Sequence, residues 1–308
     1  MMKKLSFSIA ALLCLFLSFH AFASDRNIPD SRSSEKVKIW KSCARSVGDS
    51  QAELLLFPAP KDNNSGVSVI VCPGGSYYWL DKHNEGTKVA TWLNANGISA
   101  YVLYYRRALR GHHFPKMTQD IERAMELVRF GDPDIGEPLS SLCGADPDKV
   151  GVMGFSAGGH LVGTLGTWWN WDLISSKTGV SFDSLPEDAL KPAFTAMIYP
   201  VVSMEDGVAH EKSRNNLLRR ERGELMHRLS LEKNVHSDMP PVFLVCCKDD
   251  PTVDCRNSEI YSEALSQSGV KHSFMEYEHS GHGFGVSTVG GANDWAAQFL
   301  RWVSALFN

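Results

Sequence analysis

One five-residue run constrains this chain more than any other feature: Gly154-Phe155-Ser156-Ala157-Gly158, set between an apolar strand pattern and the start of a helix. Lys149-Val-Gly-Val-Met-Gly154 reads as a short buried strand, and Gly158-Gly-His-Leu-Val-Gly-Thr-Leu165 as the first turns of a helix. A Gly-x-Ser-x-Gly run at such a junction makes a turn so tight that the serine takes a strained backbone, and only small residues fit beside it. The hydroxyl then stands at a helix N-terminus, where the dipole favours developing negative charge.

Strand-to-helix junctions of this kind belong to sheets whose strands alternate with helices, and the sequence keeps that alternation. Strand patterns occur at Val67–Cys72, Ile98–Tyr105, Lys149–Gly154, Ala193–Tyr199, Pro241–Cys247 and Ser273–Tyr277. Helical patterns occupy Glu85–Asn96, Met117–Arg129, the stretch from Ala157, Arg256–Ser268 and Asp294–Phe307. The last places Trp295, Phe299, Trp302, Val303 and Leu306 at helical spacing. Near-continuous apolar strands separated by helices predict a mostly parallel central sheet with helices on both faces, and ligands at the carboxyl ends of its strands. Residues 24–36 read as polar and loose. The segments 168–191 and 203–238 interrupt the alternation near those strand ends and are expected to form cap-like insertions.

A serine becomes a nucleophile at neutral pH only beside an oriented base. Behind an elbow of this type the acid and the histidine follow the serine in chain order. Among eleven histidines, His282 stands in Glu278-His-Ser-Gly-His-Gly-Phe-Gly285, a glycine-flanked loop just after the last strand pattern. It is the expected general base, with His279 the alternative. The acid is expected after the preceding strand, in Lys248-Asp249-Asp250-Pro-Thr-Val253, with Asp250 preferred over Asp249 and Asp254. An acyl-transfer site also needs backbone donors for its oxyanion. Ala157 supplies one, and the loop Cys72-Pro73-Gly74-Gly75-Ser76-Tyr77 the other; Pro73 has no N–H, so Gly75 or Ser76 must donate. Trp79 and Trp169 are the first candidates for stacking on a sugar ring, with core packing an equal reading for any one Trp.

The N-terminus reads as an address. Lys3 and Lys4 precede an apolar stretch, Leu5–Phe19, and Ala21-Phe-Ala23 gives a small-x-small cleavage pattern with Ser24 as the mature start. Residues 1–23 are therefore expected to be a cleaved signal peptide, residues 24–308 a single domain, and the protein periplasmic or secreted. No later segment is apolar enough to predict a membrane span. The net charge of −4 without a basic stripe gives no nucleic-acid signature. Beyond the leader the cysteines are Cys43, Cys72, Cys143, Cys246, Cys247 and Cys255, and the absence of a C-x-x-C pair predicts no metal site. Buried free thiols are the default, and a Cys247–Cys255 bridge across the intervening loop is the alternative.

Taken together, the chain resembles bacterial carbohydrate esterases related to acetylxylan esterases, within the lipase and esterase group that carries an HGGG-type oxyanion loop. The resemblance runs through Pro73-Gly-Gly-Ser-Tyr77, His83-Asn-Glu-Gly86, Tyr105-Arg106, Asp146-Pro-Asp-Lys-Val-Gly151, Gly154-Phe-Ser-Ala-Gly-Gly-His160 and Tyr199-Pro-Val-Val202. It continues through Ser213-Arg-Asn-Asn-Leu-Leu218, Asp249-Asp250 with Asn257-Ser258, and Gly281-His-Gly-Phe-Gly285. It departs at Ser76, where the group usually has Gly, and at Cys246-Cys247 and Asp254. The resemblance implies an α/β-hydrolase fold and a cofactor-free, metal-free enzyme acting on an acylated carbohydrate. Within that pattern Glu85 and His160 are expected to be structural, Glu85 as an acid favoured near a helix start, and Arg106 is expected to pair with Asp120. A peptidase of the same fold, a lipase-like enzyme and a catalytically silent binding module stay open as alternatives. So do the glycan, the acyl group and the oligomeric state.

Overall fold

Runs such as Ser68-Val-Ile-Val-Cys72 and Val242-Phe-Leu-Val-Cys-Cys247 leave no polar face to turn toward water, so they are stable only inside a sheet covered on both sides. A computed structural model describes residues 35–41, 51–131, 136–170, 185–287 and 294–308 and places them in that arrangement. The expected leader, Cys43 and residues 171–184 of the first insertion lie outside the described residues. Residues Ser34–Asn308 cluster as one compact unit.

Eight strands form one sheet: β1 (Glu35–Lys38), β2 (Glu53–Phe57), β3 (Ser68–Cys72), β4 (Ser99–Tyr104), β5 (Val150–Phe155), β6 (Thr195–Ile198), β7 (Val242–Cys247) and β8 (His272–Tyr277). Their spatial order is β1-β2-β4-β3-β5-β6-β7-β8. β1 and β2 run antiparallel to their neighbours, and all other pairings are parallel. Every residue of β3 to β7 is buried, as two covered faces require. The longer helices are α1 (Lys88–Ala95), α2 (Lys116–Arg129), α3 (Ala157–Thr167), α4 (Glu211–Leu218), α5 (Arg256–Gln267) and α6 (Asp294–Phe307). No helix among the described residues is long and apolar enough to cross a membrane.

The helical spacing of α6 produces its packing. Phe299 meets Phe194 and Phe243 with ring centroids 5.9 and 5.5 Å apart, and Trp295 meets Trp92 at 5.9 Å. Such aromatic pairs contribute about 0.5–1.5 kcal/mol each beyond the area they bury. On α2, the Asp120 carboxylate is fully buried. It pairs with Arg106 at 2.7 Å and also accepts Trp40 Nε1–H at 2.6 Å and the Arg106 N–H at 2.7 Å. The expected Arg106–Asp120 pair is therefore present, and its charge is satisfied rather than stranded.

The structure corrects the sequence reading in three places. Residues 35 and 36, read as the end of a loose segment, open the edge strand β1; the polar pattern Glu-Lys-Val-Lys hid it, because its order comes from pairing with β2. The helix expected from Glu85 begins as a single π turn, His83–Thr87, before α1. Free thiols were the expectation and a Cys247–Cys255 bridge the alternative; Cys246 and Cys255 are instead joined, with Cα atoms 5.6 Å apart. Cys247 is a free buried thiol, pushed up to about 11 by burial. Adjacent residues on a strand face opposite sides, so only one of the two cysteines can meet Cys255.

The parallel register places the site. Cys72 pairs with Gly154, so the loop leaving β3 and the elbow leaving β5 emerge side by side. β7 and β8 end together, with Cys247 opposite Tyr277, and release the acid and histidine loops on the same edge of the sheet.

Candidate active site

Ser156 sits at φ 52°, between β5 and α3. The tightness has a cause: a side chain on Gly154 would collide with the Gly158 carbonyl, and one on Gly158 with the Cys72 carbonyl. The elbow is also tied to β6, with Ser156 N–H donating to Ile198 O at 3.0 Å and Val201 N–H to Ser156 O at 3.1 Å.

His282 reaches the serine from the loop after β8. Its Nε2 lies 3.0 Å from Ser156 Oγ and its Nδ1 2.7 Å from Asp250 Oδ2. The Asp250 side chain is 1% exposed, and its Oδ1 accepts the N–H groups of Thr252 and Val253 at 2.8 and 2.9 Å. Those two bonds fix the carboxylate so that Oδ2 points at the imidazole. With Nδ1–H given to Asp250, Nε2 presents its lone pair to the serine hydroxyl.

The alternative residues have other partners. Asp249 accepts the N–H groups of Ser280 and Gly281 at 3.0 and 2.8 Å, which anchors the histidine loop and holds its carboxyl below the usual carboxylate range. Asp254 pairs with Arg256 at 2.7 Å. His279 is exposed and lies 3.4 Å from Asp249.

The loop after β3 is held from several elements at once. Pro73 O accepts the Tyr105 hydroxyl at 2.7 Å, and Gly74 N–H donates to Glu85 Oε2 at 2.8 Å. Ser76 O accepts Asn216 Nδ2–H at 2.8 Å, from α4 in the insertion 203–238. Tyr77 OH donates to His160 Nδ1 at 2.8 Å, while His160 Nε2–H donates to Leu229 O at 2.7 Å. Burial holds the His160 imidazole down to about 4, so the ring is neutral and can accept at one nitrogen while donating at the other. Ser76 and Tyr77 have φ of 55° and 58°, conformations uncommon for side chains of their size. This curl turns the loop around the elbow even though Ser76 replaces the usual Gly.

The two tryptophans differ. Trp79 is 48% exposed next to this loop, with Tyr78 and Leu109 also exposed beside it; Leu109 N–H donates to Tyr78 O at 3.3 Å. Trp169 is 7% exposed with Lys191 Nζ 5.1 Å from its ring centroid, so it offers no open face to a sugar. Sequence reasoning placed Glu85 at a helix start but missed its contacts with Gly74, 11 positions back, and Tyr199, 114 positions on. Among the described residues, the cluster close enough to hold a metal ion is Cys246, Cys255 and Glu276, and its two thiols are joined in the disulfide.

Residues 73–286 match the family model described as the alpha/beta hydrolase fold, and the chain belongs to that family. It is 29% identical over 264 residues to an acetylxylan esterase of Xylanibacter ruminicola, covering 84% of this chain and 49% of that protein. It is 27% identical over 235 residues to endo-1,4-beta-xylanase B of Butyrivibrio fibrisolvens, covering 74% of this chain and 34% of the relative. The chain thus spans about half or less of the length of these relatives. Among solved structures it is similar to an acetyl ester-xyloside bifunctional hydrolase from Caldicellulosiruptor lactoaceticus, with a TM-score of 0.75 and 28% identity. That match covers 89% of this chain and 97% of the other.

Proposed function

We propose that this chain is a serine carboxylesterase that removes acetyl or other short acyl groups from plant polysaccharides or oligosaccharides such as xylan. The observation that carries the reading is the unbroken file Asp250–His282–Ser156, at 2.7 and 3.0 Å, beside a loop that curls around the nucleophile. The names of the relatives support the substrate class.

Ser156 Oγ attacks the ester carbonyl carbon as His282 Nε2 takes its proton, and Asp250 stabilises the imidazolium. Gly74 N–H is committed to Glu85, which leaves Gly75 or Ser76, with Ala157, to donate to the oxyanion. Collapse of the tetrahedral species expels the sugar oxygen, which takes the proton from Nε2. Water, deprotonated by the same nitrogen, then attacks the acyl-enzyme and releases the carboxylic acid and free Ser156. Trp79 is suited to stack on a sugar ring of the bound glycan. Export through residues 1–23 belongs to the same proposal.

A substrate panel tests it: acetate release from acetylated xylan and other acetylated glycans, hydrolysis of 4-nitrophenyl esters of increasing chain length, and hydrolysis of peptide amides. Acetylated glycans and short esters are the expected substrates. Activity confined to amides or to long-chain esters rejects the proposal.

A further inference from the structure

Glu85 lies beneath the site. It is 4% exposed, and each carboxylate oxygen takes one donor: Oε2 the Gly74 N–H at 2.8 Å, Oε1 the Tyr199 hydroxyl at 2.9 Å. The Tyr199 oxygen in turn accepts the Gly285 N–H at 3.0 Å, and its ring lies 4.7 Å from the His282 ring, centroid to centroid. Tyr199 itself is held at φ 38°. Asn84, the residue before Glu85, donates its side-chain amide to Gly283 O at 2.7 Å. Two consecutive residues of the π turn therefore hold the loop beside the nucleophile and two glycines of the histidine loop.

We propose that Glu85 is a positioning residue that sets the spacing between the oxyanion loop and the His282 loop, through the relay Gly285 N–H to Tyr199 O–H to Glu85, which also accepts Gly74 N–H. The inference rests on the reading of Ser156 and His282 as nucleophile and base. The relay has a direction. A carboxylate accepts at both ends, whereas a carboxamide of the same shape must turn an N–H₂ toward either Gly74 N–H or the Tyr199 hydroxyl. Burial pushes the Glu85 carboxyl up, and nearby Asp81 adds to this; the Tyr199 and Gly74 donors and nearby His282 favour the charged form.

The test uses the full chain and the variants Glu85→Gln, Tyr199→Phe and the double variant. For each, kcat and KM on 4-nitrophenyl acetate are measured, with the rate of fluorophosphonate labelling at Ser156 and the thermal midpoint alongside. Each single variant is expected to lower kcat and the labelling rate about 10- to 100-fold with KM little changed, the scale on which displaced catalytic groups act. The double variant is expected to be no slower than the worse single, because both changes break one relay. Full kcat in either single variant, or losses that multiply in the double, overturns the relay. If Glu85→Gln does not fold, Tyr199→Phe decides alone by the same kcat criterion. Wild-type protein that neither takes the label at Ser156 nor hydrolyses the ester overturns the underlying reading and this inference with it. An active, labelled wild type with unaffected variants removes the relay alone.

Discussion

Asn216 donates its side-chain amide to the carbonyl of Ser76 at 2.8 Å, so a helix from an insertion in the α/β frame fastens the loop beside Ser156. The helix is itself tied down next to that bond: Phe114 N–H donates to Leu217 O at 2.9 Å, and His113 Nδ1 lies 2.6 Å from Asn216 O. The segment 203–238 thus contributes a direct hydrogen bond to the loop after β3. Asn216→Ala frees the Ser76 carbonyl while leaving the sheet untouched. It is expected to lower kcat on 4-nitrophenyl acetate about 10-fold, the cost of a slightly misplaced donor, with little change in thermal midpoint. Steady-state kinetics checks this, and an unchanged kcat would show that the loop holds its shape without α4.

The disulfide Cys246–Cys255 closes the loop that carries Asp249 and Asp250. Chain entropy alone makes a loop of this length worth about 2–3 kcal/mol. Cys246→Ala and Cys255→Ala are each expected to lose roughly that much in urea unfolding, and the double variant no more than either single. Peptide mapping without reduction should find Cys246 joined to Cys255; a Cys247–Cys255 crosslink would contradict the pairing.

His160 makes stability depend on pH. Burial lowers its pKa from 6.5 to about 4, so between those values the unfolded chain binds a proton that the folded chain refuses. Its contribution is complete above pH 6.5 and is lost as the pH falls from there toward 4, about 3 kcal/mol in all. Urea unfolding at pH 7 and at pH 4.5 measures the loss, and His160→Gln, which cannot take the proton, should flatten it. An equal slope in that variant would mean that other groups carry the dependence.

The parts of the site set by local chain geometry were legible in the sequence. Gly154 and Gly158 announce the elbow because nothing larger fits there, and the glycines around His282 announce a loop bent to unusual angles. Asp250 was preferred to Asp249 from its neighbours alone; in the structure Asp250 faces the imidazole while Asp249 caps the N–H groups of the histidine loop. What depends on distant partners was not legible. β1 is a strand because β2 pairs with it, Cys255 chooses Cys246 by the facing of a pleat, and Glu85 meets Tyr199 across 114 positions. Trp169 shows the converse: composition suggested a sugar platform, and packing under Lys191 took its face away.

In the proposed reaction Ser156 carries the acyl group between ester and water. Intact-protein and peptide mass spectrometry, after rapid acid quenching of the enzyme with an activated acetate ester, tests it most directly. An added acetyl group on the peptide holding Ser156, lost on longer incubation and absent in Ser156→Ala together with ester hydrolysis, is the predicted result. Full hydrolysis by Ser156→Ala, with its fold retained, would contradict it.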